Sequence, residues 1–160
     1  MMWVCRAGQK SVFAEYYFAT SRIYIPWNGF KTDLSRFEDR NSIKDLVTKE
    51  KGEVSRTSIS NWSGQLYSFC WEMKEGDYVL IPYESSRKYA FGKIVGGYEF
   101  DSCNEKQLWH SRSVEILIEC IPSELFSQSV RYSLGAYRTI FKAKQEKNIL
   151  SVIKGYKPEK

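Results

Sequence analysis

An α+β domain around a small, highly curved, barrel-like sheet of five or six strands is the fold this sequence predicts, on three observations. Short β-branched and aromatic runs recur from the first residues to residue 141, and helix-spaced segments interrupt them after the second run and again near the end. The runs "YVLIPY" and "YAFGKIVGGYEFD" flank a short polar "ESSRK". That gap is too small for a helical crossover, so the two form an antiparallel hairpin and a doubly wound sheet is excluded. Gly92, Gly96 and Gly97 fall inside the returning run, where glycine marks a bulge or sharp bend.

Taken in order, "MWVCRAG" reads as a first strand ending at Gly8, and "SVFAEYYFAT" as a helix with Ser11 as its cap. Residues 22–27 form the second strand, running through Pro26 into Trp27, Asn28 and Gly29. "DLSRFEDRNSIKDLVTKEKG" is one polar helix or two short ones, closed near Gly52. Trp62, Leu66, Phe69, Cys70 and Met73 then make one apolar stripe of a helix, with Gly64 weakening its first turn. After the hairpin and a loop carrying Trp109 and His110, "RSVEILIECI" is a strand with Glu115 and Glu119 on one face and Val114, Ile116 and Ile118 on the other. "PSELFSQSVRYSL" is short helix, "RTIFKA" a last strand and "KQEKNILSVIKG" a terminal helix. The chain divides into a domain over 1–141 and a lysine-rich helix with a linker or tail over 142–160.

A chain of 160 residues, 42% of them hydrophobic, fits one domain, and chains of this size bury roughly 68–70% of their unfolded surface. Four cysteines stand far apart without a CxxC pair, beside a single histidine. No zinc site or disulfide framework is indicated, and the pattern suits a reducing compartment. No run approaches the ~18 apolar residues of a membrane span. A soluble, untargeted, cytoplasmic protein is expected, with no cofactor and no membrane partner. The net charge of +5 is concentrated: residues 142–160 hold six lysines against two glutamates, leaving the first 141 residues at +1. Bulk charge therefore demonstrates no nucleic-acid face.

No catalytic constellation emerges. A triad would have to use His110, no nucleophile elbow is present, and Asp77 and Asp101 beside turns read as turn formers. "GKIVGGY" lacks the phosphate-loop spacing. Aromatic residues are the stronger signal: five Trp and eleven Tyr exceed what one small core uses comfortably. Trp62 belongs to the core stripe, and Trp71 lies off it. Trp27 and Trp109, at a strand end and in a loop, either plug the ends of the barrel or wall a pocket for a planar ring. Arg6, Arg87, Lys88 and Arg112 are the candidate backbone or phosphate contacts. Arg6 either meets a ligand beside Gly8 or closes the barrel through a salt bridge, and His110 either donates to a ligand or ties a loop.

Several segments together carry a resemblance: "WVCRAG", "IYIPW" with "DLS" at 33–35, "GQLYSFCWEMKEGDYVLIPYESSRKYAFGKIVGGYEFD", and "WHSRSVEIL" followed by "IPSELFSQSVRYSLGAYRTIF". In this order, over residues 2–141, the chain resembles the PUA-like superfamily in its EVE and YTH branch, and more closely the N-terminal module of Mrr-type restriction proteins. The resemblance implies a non-catalytic reader of modified nucleic acid, DNA or RNA, with a modified base in an aromatic pocket and any nuclease on a fused or partner domain. It implies Trp27 as the wall after the second strand, with Tyr83, Tyr98 and Trp109 as candidates for the opposite wall and Asn28 and His110 beside them. Pro26 stands where relatives carry a small residue, which reshapes the pocket mouth. Two other readings use the same concave face: a protein-interaction or assembly module, and a sensor of free nucleotides.

Overall fold

The structure is a computed structural model that describes residues 1–52, 54–136 and 138–156. Seven strands form one sheet: β1 (Met2–Cys5), β2 (Arg22–Tyr24), β3 (Tyr78–Tyr83), β4 (Lys88–Ile94), β5 (Glu99–Phe100), β6 (His110–Pro122) and β7 (Ile140–Lys142). Their order is β2-β6-β4-β3-β1-β7, with β5 paired to β6 beside that path. Among the described residues only β1 and β3 run parallel, and the other pairs are antiparallel. The helices are α1 (Ala14–Thr20), α2 (Arg40–Lys51), α3 (Arg56–Tyr67), α4 (Gln128–Leu134) and α5 (Glu146–Gly155). This is the α+β, curled-sheet architecture that the hairpin and the strand bends imply.

The long strand β6 sets the curl. Its first residues pair with β2 on one side and β5 on the other, while Val114 to Pro122 pair with β4. The returning run of the hairpin is broken between Ile94 and Glu99, so what reads as one strand is β4 and β5. The register slips at Phe91 and Gly92, as the glycine pattern predicts. A Cβ on Gly92 would stand 2.7 Å from the Glu115 carbonyl oxygen, so only glycine lets β6 lie this close.

The sheet separates two apolar layers. Along β1, Trp3 and Cys5 face a core shared with α1, α2 and α3, whereas Met2 and Val4 face a second core holding Leu80, Phe126, Ile149 and Ile153. Alternation along a strand requires this division. The second core anchors α5 to the body through Ile149 and Ile153, the part of the lysine-rich segment that is described; residues 157–160 of the expected tail lie outside the described residues.

Local signals explain most element ends, with two corrections. Asp39, Ser55 and Ser127 cap α2, α3 and α4 by accepting from Ser42, Ser58 and Val130 amides. Ser11 does not cap α1; it sits in the left-handed region (φ 57°), and its hydroxyl donates to the Pro82 carbonyl. Gly64 lies in the third turn of α3 rather than the first, because Ser55 starts that helix well before its apolar stripe. The stripe itself forms: Leu66, Phe69, Cys70 and Met73 are buried, the last three in or just after a wider turn over Ser68–Glu72.

The ends of the sheet path, β2 and β7, are not paired with one another as strands. Side chains bridge the segments beside them instead. The buried Tyr17 hydroxyl donates to Tyr24 O (3.0 Å) and approaches Arg6 O (3.4 Å), and the Trp27 indole N–H donates to Thr139 Oγ1 (3.1 Å).

Gly92→Ala tests the close approach of β4 to β6. Urea unfolding is expected to show a loss of about 1–3 kcal/mol from overpacking, and an unchanged midpoint would refute the contact.

Candidate nucleic-acid interface

Trp27 and Asn28 sit on the loop that leaves β2, and the loop's shape is imposed on it. Gly29 and Phe30 both have positive φ (84° and 56°). For a bulky residue such as Phe30 that conformation costs on the order of 1–3 kcal/mol and persists only where surroundings fix it. Here the Phe30 ring is buried, and its carbonyl accepts from His110 Nε2 (2.7 Å) and the Thr32 amide (2.7 Å). His110 Nδ1 lies 2.6 Å from the Tyr98 hydroxyl, whose oxygen accepts from the Leu34 amide (3.0 Å). The chain of bonds fixes the tautomer: Nε2 carries the proton and donates to Phe30 O, while Nδ1 accepts from Tyr98. Tyr98 and His110 therefore clamp both ends of the loop rather than face a ligand.

Burial holds His110 neutral, with its pKa pushed down to about 4; the Phe30 carbonyl and the Asp33 carboxylate oppose the shift without cancelling it. The loop's outer residues are freer. Asn28 is exposed, Trp27 is half-buried with its ring 6.2 Å from that of Phe30, and Trp109 is half-buried under the Lys31 ammonium at 4.6 Å. Lys51 lies over Phe30 (5.2 Å) and Trp62 (5.0 Å). At this end of the sheet, aromatic faces meet cations, a favourable pairing of roughly 0.5–2 kcal/mol each.

The remaining residues singled out from the sequence lie elsewhere. Tyr83 ends β3, where its hydroxyl donates to Glu119 O (2.8 Å) and its ring meets Phe18 edge-on. Glu119 lies ten positions along the chain from Trp109, ~33 Å of contour at ~3.3 Å per residue, so Tyr83 and Trp109 belong to opposite ends of β6. Arg6 donates to three carbonyls, those of Leu134, Ala136 and Arg138, and among the described residues to no carboxylate. Arg112 is buried and donates to Phe69 O (2.8 Å) and Cys70 O (3.3 Å), closing the end of the helical run that follows α3; among the described residues its Nε has no partner. Burial lowers its pKa, and nearby thiols and carboxylates oppose this. The helix-end carbonyls are the negative charge that makes the buried guanidinium tolerable. Arg87 is exposed at the hairpin tip and Lys88 pairs with Glu84 (3.1 Å).

A larger feature lies beyond the Trp27–Thr139 contact. A groove of about 1410 Å³ runs between α3, α4 and β7, with one wall from α2. Arg40, Lys44, Arg56, Arg138, Lys142 and Lys144 line it; none of its described lining residues is acidic, and the one carboxylate paired to these cations is that of Glu72, 3.8 Å from Lys142 Nζ and accepting from Ser68 Oγ (2.7 Å), among the described residues. Six hydroxyls, from Thr57, Ser58, Ser60, Ser68, Ser129 and Ser133, stand among these cations. Gln65 builds the junction with Trp27: its buried Oε1 accepts from the Thr139 and Ile140 amides (3.0 and 2.9 Å). Gly64 makes room for Arg40, whose guanidinium lies 2.8 Å from where a Cβ would stand.

None of these six cations is among the contacts the sequence suggested. Arg40 and Lys44 are one helical turn apart and share a face, while Lys142 ends β7 and Lys144 follows two residues later in a turn. That signal is in the sequence. What it lacks is any sign that segments about a hundred residues apart converge.

The His110 clamp has a pH signature. A folded pKa of about 4 against an ordinary value near 6.5 means stability is full above about pH 6.5 and falls as pH drops toward 4, by on the order of 3 kcal/mol. Asp33, held below its usual range mainly by the Ser35 hydroxyl, loses its contribution only at lower pH. Urea unfolding at stepped pH is expected to show this slope and its loss in His110→Gln; an identical slope in the variant would refute the assignment.

No curated protein matches the chain. Among solved structures, the YTH domain of Zygosaccharomyces rouxii MRB1 protein, crystallised in complex with N6-methyladenosine RNA, is similar at a TM-score of 0.50 and 11% identity, over 99% of this chain and 87% of that one. A crystal structure of an Agrobacterium tumefaciens protein aligns at a TM-score of 0.44 and 11% identity, over 96% of this chain and 91% of that one. At this identity the first likeness concerns the fold: the curled sheet with its flanking helices is YTH-like. A sequence model of one family matches residues 2–141, and the chain belongs to that family, described as Domain of unknown function (DUF8426).

Proposed function

We propose that this protein is a non-catalytic reader of modified nucleic acid that holds a strand along the basic groove and takes a modified base against Trp27. The observation that carries this reading is the groove itself, with six cations and no acidic residue among its described lining, ending beside the Trp27–Thr139 contact. The YTH-like fold supports it, because the similar structure is of a domain bound to N6-methyladenosine RNA.

Magnitudes decide what the reader needs. Stacking a base on an aromatic wall contributes about 1–3 kcal/mol, and extruding a base from a duplex costs a few kcal/mol. The wall alone roughly breaks even. Phosphate contacts along the groove supply the surplus, so affinity depends on the six cations and discrimination on Trp27, Asn28 and Trp109. Tyr98 and His110 act as positioning residues, through the loop. The Lys31 and Lys51 ammonium groups, resting on aromatic faces, have to shift if those faces receive a base.

The similarity of "IYIPW", "DLS" and the hairpin block to Mrr-type modules supports a finer version: the base is in DNA, and the reader serves a restriction or anti-phage system whose nuclease lies on a fused or partner domain. Arg87 and Lys88 at the hairpin tip then contact the backbone at a distance from the groove.

Titration of DNA and RNA oligonucleotides with and without methylated bases tests the reading. The protein is expected to prefer one modified strand, Trp27→Ala to abolish the preference and Trp27→Phe, which keeps a ring, to retain part of it. Equal binding of all strands by the unaltered protein would refute the reader assignment, and tight binding of free mononucleotides would favour a nucleotide sensor.

A further inference from the structure

We propose that the groove is a track for single-stranded nucleic acid and that Tyr132 is a second stacking platform in it, separate from the base position at Trp27; the proposal rests on the nucleic-acid reading above. Tyr132 lines the groove from α4 and is 88% exposed. Single exposed aromatics are ordinary on protein surfaces, and the setting distinguishes this one. Ser129, Tyr132 and Ser133 line the groove at the spacing of one helix face, and Ala136 lines it just past the helix end. The ring is thus flanked by residues too small to cover it, and it stays 88% exposed although Trp3, Ile140 and Phe141 line the groove together with the cations and hydroxyls.

Those surroundings identify the ligand's chemistry. Lysines and arginines beside serine and threonine hydroxyls suit phosphate oxygens, which accept from both. An uncovered aromatic face in such a track suits an unpaired base, whose own face is available. A duplex hides its base faces within the stack and offers only edges and phosphates. The combination therefore favours a single strand over a duplex. Because every base has a π-face, Tyr132 contributes affinity without sequence or modification preference, which leaves selection to Trp27.

Fluorescence anisotropy with labelled unmodified single strands, DNA and RNA, and the matching duplexes separates the outcomes. Tyr132→Ala is expected to weaken single-strand binding by about 5- to 150-fold and leave the ratio of modified to unmodified affinity unchanged, while Tyr132→Phe binds as the unaltered protein does. Lys44→Gln combined with Arg56→Gln is expected to reduce the slope of log affinity against log salt by about 1.4 for single strands. The proposal is overturned if Tyr132→Ala binds single strands normally, or if duplexes bind as tightly as single strands. If Tyr132→Ala is silent while Trp27→Ala still abolishes discrimination, the platform fails and the reader stands. If no strand binds at low salt, both fail.

Discussion

The fold depends on how its sheet closes. The strand path ends at β2 and β7, and near these ends the described chain has side-chain bridges in place of a backbone ladder: the Trp27 indole on Thr139, beside β7, and the Tyr17 hydroxyl, which joins Tyr24 of β2 to Arg6 just past β1. Two further side chains hold the approach to β7, Arg6 by collecting the Leu134, Ala136 and Arg138 carbonyls and Gln65 by accepting the Thr139 and Ile140 amides. A seam made of single hydrogen bonds, each contributing about 0.5–1.5 kcal/mol net, is weaker than a ladder and more adjustable. Both the Trp27 loop and the basic groove adjoin it.

This arrangement divides labour between rigid and adaptable parts. The loop after β2 is held in a strained conformation by a neutral histidine and a tyrosine, both used internally. The groove's cations, by contrast, stand on long flexible side chains around a fixed floor. Such a division suits recognition in which one base is discriminated by a preset wall while a backbone of variable shape is followed by charges that adapt.

The curled sheet was legible in the sequence because its determinants are local. Alternation in "RSVEILIECI", the tight hairpin and the glycines at 92, 96 and 97 each act within a few residues, and each produces the bend or pairing it implies. The candidate site was legible only in part. His110 and Arg112 look like surface residues beside Trp109, but β6 begins at His110 and carries both inward, where carbonyls satisfy them. The groove was invisible for the opposite reason: α2 contributes two cations, α3 and β7 one each, and the segments just before and after β7 one each, and only the tertiary fold gathers them.

The cations of β7 and the residues after it have a second consequence. As an edge strand of three residues, β7 would offer unpaired backbone groups to any other extended chain. Gln65 occupies the Ile140 amide, while Lys142 and Lys144 place charge where an incoming strand would lie. Lysines at such edges oppose sheet-to-sheet association. The charge that lines the groove thus also opposes strand addition at the open edge, so the same two side chains serve the groove and guard the edge.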